Sequence, residues 1–178
     1  LFSEKMCKMY SESIEHPMDT LIVRPGNIYG PFDKFDRNKS KVIAALVRRA
    51  VEREDPFVVW GDGNDIKDFI YIDDFINGVV ESFTHFGGGE EVNIASGREV
   101  TIKEIINMIF ELEELHDVEL RFDITKPSMI PKRLINIDKL QQHTGFNPQI
   151  EMRDGLSRTI DWYKQFYSEI TPEQYDRD

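Results

Sequence analysis

Short runs of β-branched and aromatic residues alternate along this chain with longer stretches whose apolar positions recur at helical spacing. That alternation restricts the fold more than any other feature. Strand-like runs fall at residues 20–23, 57–60, 68–72, 91–95 and 118–122. Helical patterns cover residues 1–14, 41–53, 101–115, 138–144 and 153–166, with a further helix opening at Asp73 or Asp74 and running to Phe83. Residues 26–31 read as a loop from their Gly, Asn and Pro content, and Gly61-Asp62-Gly63-Asn64 as a turn. Thr101 with Glu104 three residues later predicts a capping box. Strands and helices in this order, joined by short connections, make an α/β chain.

The 178 residues suffice for one domain or half of a larger one, and 40% of them are apolar. A charged fraction of 31% beside that apolar content excludes a low-complexity linker. No apolar run reaches the ~18–20 residues that cross a bilayer, and Leu1 to Tyr10 do not resemble a signal peptide. The single cysteine, Cys7, excludes an internal disulfide framework or a zinc cluster. It suits a reducing, cytoplasmic setting and reads as a core thiol in a helix. No metal site is expected, because His16, His85, His116 and His143 are scattered without ligand spacing.

A formal net charge of −11 argues against nucleic acid as a partner. Against that acidic background, Lys34, Arg37, Lys39, Lys41, Arg48 and Arg49 face only Asp36 between residues 34 and 49. The island is either a solvated helix face or a grip for a small anion, and charge alone leaves both open. Arg49, Lys67 and Arg133 come from three separate elements and could serve a diphosphate only if the fold gathers them. Trp60, at the end of a strand before a Gly-Asp-Gly turn, could stack on a base or pack in a core. Asn27 directly follows a buried strand, where open α/β sheets bind ligands. No Gly-x-Gly-x-x-Gly turn and no Walker loop follows any strand, and Gly87-Gly88-Gly89 reads as a plain loop.

Four segments in order carry a family resemblance: Arg24-Pro25-Gly26-Asn27-Ile28-Tyr29-Gly30-Pro31, Asp68-Phe69-Ile70-Tyr71-Ile72-Asp73-Asp74, Val92-Asn93-Ile94-Ala95-Ser96-Gly97 and Pro131-Lys132-Arg133. Together they resemble the extended short-chain dehydrogenase/reductases, the NAD-dependent epimerase/dehydratase family. The stretch from Gly30-Pro31 to Arg49, continued by Val58-Val59-Trp60-Gly61, is most similar to its GDP-L-fucose synthase branch, which joins 3,5-epimerase to 4-reductase chemistry. The resemblance implies that residues 1–178 are the C-terminal half of such an enzyme. On that alignment the chain starts one residue after the catalytic lysine of Tyr-x-x-x-Lys, without the cofactor-binding half. The last elements of a Rossmann-type doubly wound sheet would be interleaved with a smaller substrate-binding α/β domain.

The same resemblance implies a nicotinamide cofactor, NAD or NADP, held mainly by the missing half. Pro25, Gly26, Asn27 and Ile28 would line the nicotinamide, while Val42, Leu46, Arg49, Val59, Trp60, Lys67 and Arg133 would surround a GDP- or UDP-sugar. Lys41 stands where the family places its catalytic histidine, and a lysine of ordinary pKa near ~10.4 is a poor acid/base at neutral pH. A UDP-sugar 4-epimerase, a dehydratase and a non-catalytic nucleotide-sugar-binding module are the alternatives. The family's helical dimer contact implies a homodimer using residues 1–14. An open sheet edge would make the chain alone prone to aggregation.

Overall fold

In the computed structural model, which describes residues 1–12, 15–126 and 130–167, helices and strands alternate along the chain. The order is α1 (Phe2–Glu12), β1 (Leu21–Pro25), β2 (Asn27–Tyr29), α2 (Val42–Val51), β3 (Phe57–Trp60), β4 (Ile66–Lys67), β5 (Phe69–Tyr71) and α3 (Ile72–His85). There follow β6 (Glu90–Ile94), β7 (Val100–Thr101), α4 (Ile102–Leu112), β8 (Leu120–Asp123), β9 (Lys132–Arg133), α5 (Asp138–Thr144) and α6 (Met152–Tyr167). Two compact units emerge among the described residues, each assembled from three stretches of the chain: those within 1–28, 68–98 and 134–149 in the first, and those within 29–67, 99–133 and 150–167 in the second.

In the first unit, β1 pairs in parallel with β6, from Leu21 opposite Glu90 to Pro25 opposite Ile94. A parallel pair needs a crossover, and α3, directly ahead of β6, packs on both strands. Ile70, Phe86, Val92, Ile94, Leu140 and Phe146 form the core beneath it. Gly78 costs α3 helix propensity, but a Cβ there would lie 2.7 Å from Ile94 Cγ2, so only glycine lets the helix settle on the strand. On α1, Glu4 takes a bidentate bond from Arg24 at 2.7 and 3.1 Å, and Lys8 pairs with Glu91 at 2.9 Å. Contrary to the core thiol expected, Cys7 is free and only half-buried, because α1 buries none of its residues fully.

In the second unit, β3 runs parallel to β8, and β4 lies between antiparallel β7 and parallel β9. Helices α2, α4 and α6 pack on one another around Ile43, Val47, Ile105, Ile109, Leu156 and Ile160. The predicted capping box is present: Thr101 Oγ1 accepts from the Glu104 N–H at 3.1 Å, and Glu104 accepts from the Thr101 N–H at 2.7 Å. Arg48, read as part of the basic island, is instead buried and bonds Glu52 one turn on at 2.9 Å.

Three local expectations are corrected. Residues 27–29 form β2 and not a loop, because they pair with β5. The single strand expected over 68–72 is replaced by β4 and β5, with Asp68 between them. The N-cap of α3 is Tyr71, and Asp74 is a buried fastening whose carboxylate accepts the Gln149 N–H at 3.1 Å. The last two residues of the expected first helix, and the polar tail after Thr171, lie outside the described residues.

Candidate functional site

The first unit presents the Pro25–Ile28 segment at the carboxyl ends of its parallel strands, the place where open α/β sheets receive ligands. The Gly26 N–H donates to the Ile94 carbonyl at 2.8 Å. A Cβ on Gly26 would stand 2.9 Å from that of Ala95, so the two backbones approach as only glycine allows. Asn27 Nδ2 donates to the main-chain carbonyl of Asp68 at 2.7 Å. The Asp68 carboxylate is fully buried. Its Oδ1 accepts from the Ser96 N–H at 2.9 Å and the Ser96 hydroxyl at 2.6 Å, and its Oδ2 from the Gly97 N–H at 3.0 Å. Sequence reasoning saw Asp68 only as part of a motif, since its partners lie 28 and 29 positions on.

The second unit carries the other candidate side chains. Lys67 and Arg133 are register partners on parallel β4 and β9. Like charges on neighbouring strands repel. Asp65 offsets part of that charge at 3.3 Å from Lys67 Nζ, which also donates to the Ile130 carbonyl. Trp60 ends β3 with 70% of its surface exposed, and the Lys126 ammonium lies 5.6 Å from its ring centre. Beyond it the Gly61 turn opens a cavity of about 340 Å³ lined also by Asp62, Asn64, Asp65, Ile124, Lys126 and Pro131. Within it the Asn64 N–H and side-chain amide hold the Asp62 carboxyl below the usual carboxylate range. Sequence reasoning missed Asp65 and Lys126, whose placement depends on strand pairing.

Other predicted residues sit differently. Arg49 makes a bidentate bond to Glu54 at 2.8 and 2.9 Å and stacks over the Phe57 ring at 4.3 Å. Leu46 and Val59 are in the core, whereas Val42 is exposed. Lys41 is the exposed N-cap of α2, without a side-chain capping bond. His85 and His143 bond carbonyls of their own helices. Among the described residues no group of three His, Cys, Asp or Glu is placed to hold a metal ion, and no helix is long and apolar enough to cross a membrane.

Residues 1–95 match the model of the NAD dependent epimerase/dehydratase family. The chain belongs to that family. GDP-L-fucose synthase 1 of Arabidopsis thaliana is 38% identical over 163 residues, covering 89% of this chain and 49% of the plant protein. The chain thus spans about half the length of the curated relatives it matches.

Among solved epimerase/dehydratase-type structures, UDP-glucose 4-epimerase of Thermotoga maritima, determined with UDP-glucose, superposes with a TM-score of 0.80 at 21% identity. That match covers 93% of this chain and 52% of the other, and it shows the fold. UDP-glucuronic acid 4-epimerase of Bacillus cereus, in complex with UDP-glucuronic acid and NAD, gives a TM-score of 0.75 at 26% identity over 92% and 50% of the two chains. The mixed α/β architecture is therefore that of Rossmann-type epimerase/dehydratase enzymes over about half their length.

Proposed function

We propose that this chain is the nucleotide-sugar-binding half of an NAD(P)-dependent epimerase/reductase of the GDP-L-fucose synthase type. The observation that carries this reading is the 38% identity to GDP-L-fucose synthase 1 across 89% of the chain. The register pair Lys67 and Arg133 gives it a physical basis. Two cations on neighbouring strands gain from a diphosphate between them, and arginine's planar fork can grip it bidentately. Trp60, exposed at the strand end beside the cavity, offers a face for the base.

What the chain offers a nicotinamide cofactor fits one end of it only. The Pro25–Ile28 segment stands at a strand end with its backbone fixed against Ile94 and Ala95, but no glycine-rich turn is present to hold a pyrophosphate. The cofactor, when bound, supplies hydride transfer; this chain's residues orient the nicotinamide end and hold the nucleotide sugar. The reading includes a homodimer in the cytoplasm, with the exposed Phe2, Met6, Met9 and Tyr10 of α1 as the dimer contact.

A second reading, a UDP-sugar 4-epimerase, draws on the 26% identity to the Bacillus cereus enzyme and on Lys41 in the histidine's place. The test is NADPH oxidation by the complete gene product with GDP-4-keto-6-deoxymannose, beside calorimetric titration with GDP- and UDP-sugars. Turnover with the GDP-sugar supports the first reading. Preference for UDP-sugars supports the second. Neither binding nor turnover with either sinks both.

A further inference from the structure

A carboxylate removed from water must find its hydrogen bonds within the protein. Asp68 has no exposed surface, and Ser96 and Gly97 satisfy its two oxygens from one short stretch. That stretch is stiffened in turn, because the Ser96 hydroxyl accepts from the Arg98 N–H at 3.1 Å and the Arg98 guanidinium bonds the Pro148 carbonyl at 2.7 Å. Meanwhile the main-chain carbonyl of Asp68 takes the amide of Asn27. One residue therefore holds two segments, each through a different group.

The two grips converge on the same place. Ser96 follows Ala95, against which Gly26 rests so closely that a Cβ on the glycine would lie 2.9 Å from the alanine Cβ. Asn27 is tied to Asp68 directly, and Gly26 is tied to it through Ala95 and Ser96. The geometry points to Asp68 as the positioning residue for the Pro25–Ile28 segment, fixing it from both sides without itself facing a ligand. Its consequence for catalysis rests on the reading of this segment as the cofactor-facing one. A carboxylate that merely fastened the fold would lower stability when neutralised and leave the segment's geometry and cofactor affinity alone.

The test compares Asp68→Asn, Ser96→Ala and the control Ser82→Ala in the complete gene product. Ser82 is buried on α3 of the same unit and bonds Gly78 away from the segment. The first readout is hydrogen exchange at the Gly26 amide, whose bond to Ile94 reports the segment's position. Replacing the anionic acceptor is expected to speed that exchange on the order of tenfold, as loss of a charge-assisted bond implies. Ser96→Ala should move it less and in the same direction; should Asp68→Asn fail to fold, it carries the test alone. Ser82→Ala should lower the melting temperature and leave Gly26 unchanged.

The second readout is kinetic: Asp68→Asn should raise KM for the nicotinamide cofactor while KM for the nucleotide sugar holds. Unchanged Gly26 exchange in Asp68→Asn overturns the assignment, whatever the activity. Faster exchange with an unaltered cofactor KM in an active parent also overturns it. Faster exchange in a parent that turns over no nucleotide sugar supports the positioning role and removes the cofactor reading instead.

Discussion

Gly26 and Ala95 meet so closely that a Cβ built on the glycine would stand 2.9 Å from the alanine's own. Gly26→Ala should therefore push β1 and the Ala95 segment apart, costing about 1–3 kcal/mol as overpacking in a tight contact does. Urea unfolding followed by circular dichroism checks the value. An unchanged midpoint would show that the Ala95 segment yields freely.

Lys67 and Arg133 share a register on adjacent strands, and they should act as a pair toward a nucleotide diphosphate. Arg133→Ala is expected to weaken GDP-sugar binding about tenfold, by loss of a charge-assisted contact. Arg133→Lys should restore part of that, since an ammonium cannot make the bidentate fork. Calorimetry at two salt concentrations decides it: the wild-type affinity should fall with salt more steeply than that of Arg133→Ala.

Thr101→Ala removes one half of the capping box on α4 and should cost about 1 kcal/mol. Trp60 and Trp162 both lie in the second unit, so tryptophan fluorescence during denaturation reads the change where it occurs.

The other half of the box is pH-dependent. The Thr101 N–H and hydroxyl hold the Glu104 carboxyl below its ordinary value of 4.5. A carboxyl depressed in the folded state contributes above its unfolded pKa and loses that contribution as pH falls through the folded one. Stability of the wild type should accordingly drop more between about pH 5 and the acid side of ~4 than that of Glu104→Gln. Parallel pH profiles for the two would contradict the assignment.

Leu140, fully buried on α5 among Val92, Ile94 and Phe146, should tolerate truncation badly. Leu140→Ala is expected to destabilise by about 2–5 kcal/mol in urea unfolding, from lost transfer energy and an unfilled cavity. A loss smaller than about 1 kcal/mol would mean that α5 can collapse onto β6 and close the space.

The α/β class, α5, β3 and the Thr101 cap were legible because each rests on local periodicity or on residues a few positions apart. The two-residue strands β4, β7 and β9 were not, since a ladder of one or two bonds leaves no pattern in the sequence. Asp74 looked like a helix cap by its neighbours and is instead fastened to Gln149, 75 positions away. Arg48 was read within a basic island that could be a solvated face or an anion grip, but α2 turns it inward against Glu52. Of the candidate site, Gly26, Asn27, Lys67 and Arg133 were singled out from the sequence, whereas the register of Lys67 with Arg133 and the bonds made by Asp68 depend on contacts that only the fold supplies.

The chain passes between its two units five times, and neither is contiguous in sequence. During synthesis, the core residues Val92 and Ile94 wait for Leu140 and Phe146 to leave the ribosome before the first unit can close. Helix α6 must likewise follow before α2 and α4 are covered. Domains that fold in order as they emerge shelter each completed part from the next. Here the closing segments of the two units lie next to each other in sequence, so the strands of the first unit lack the cover of α5 until residues 138–144 have been made, and α6 is made directly afterwards.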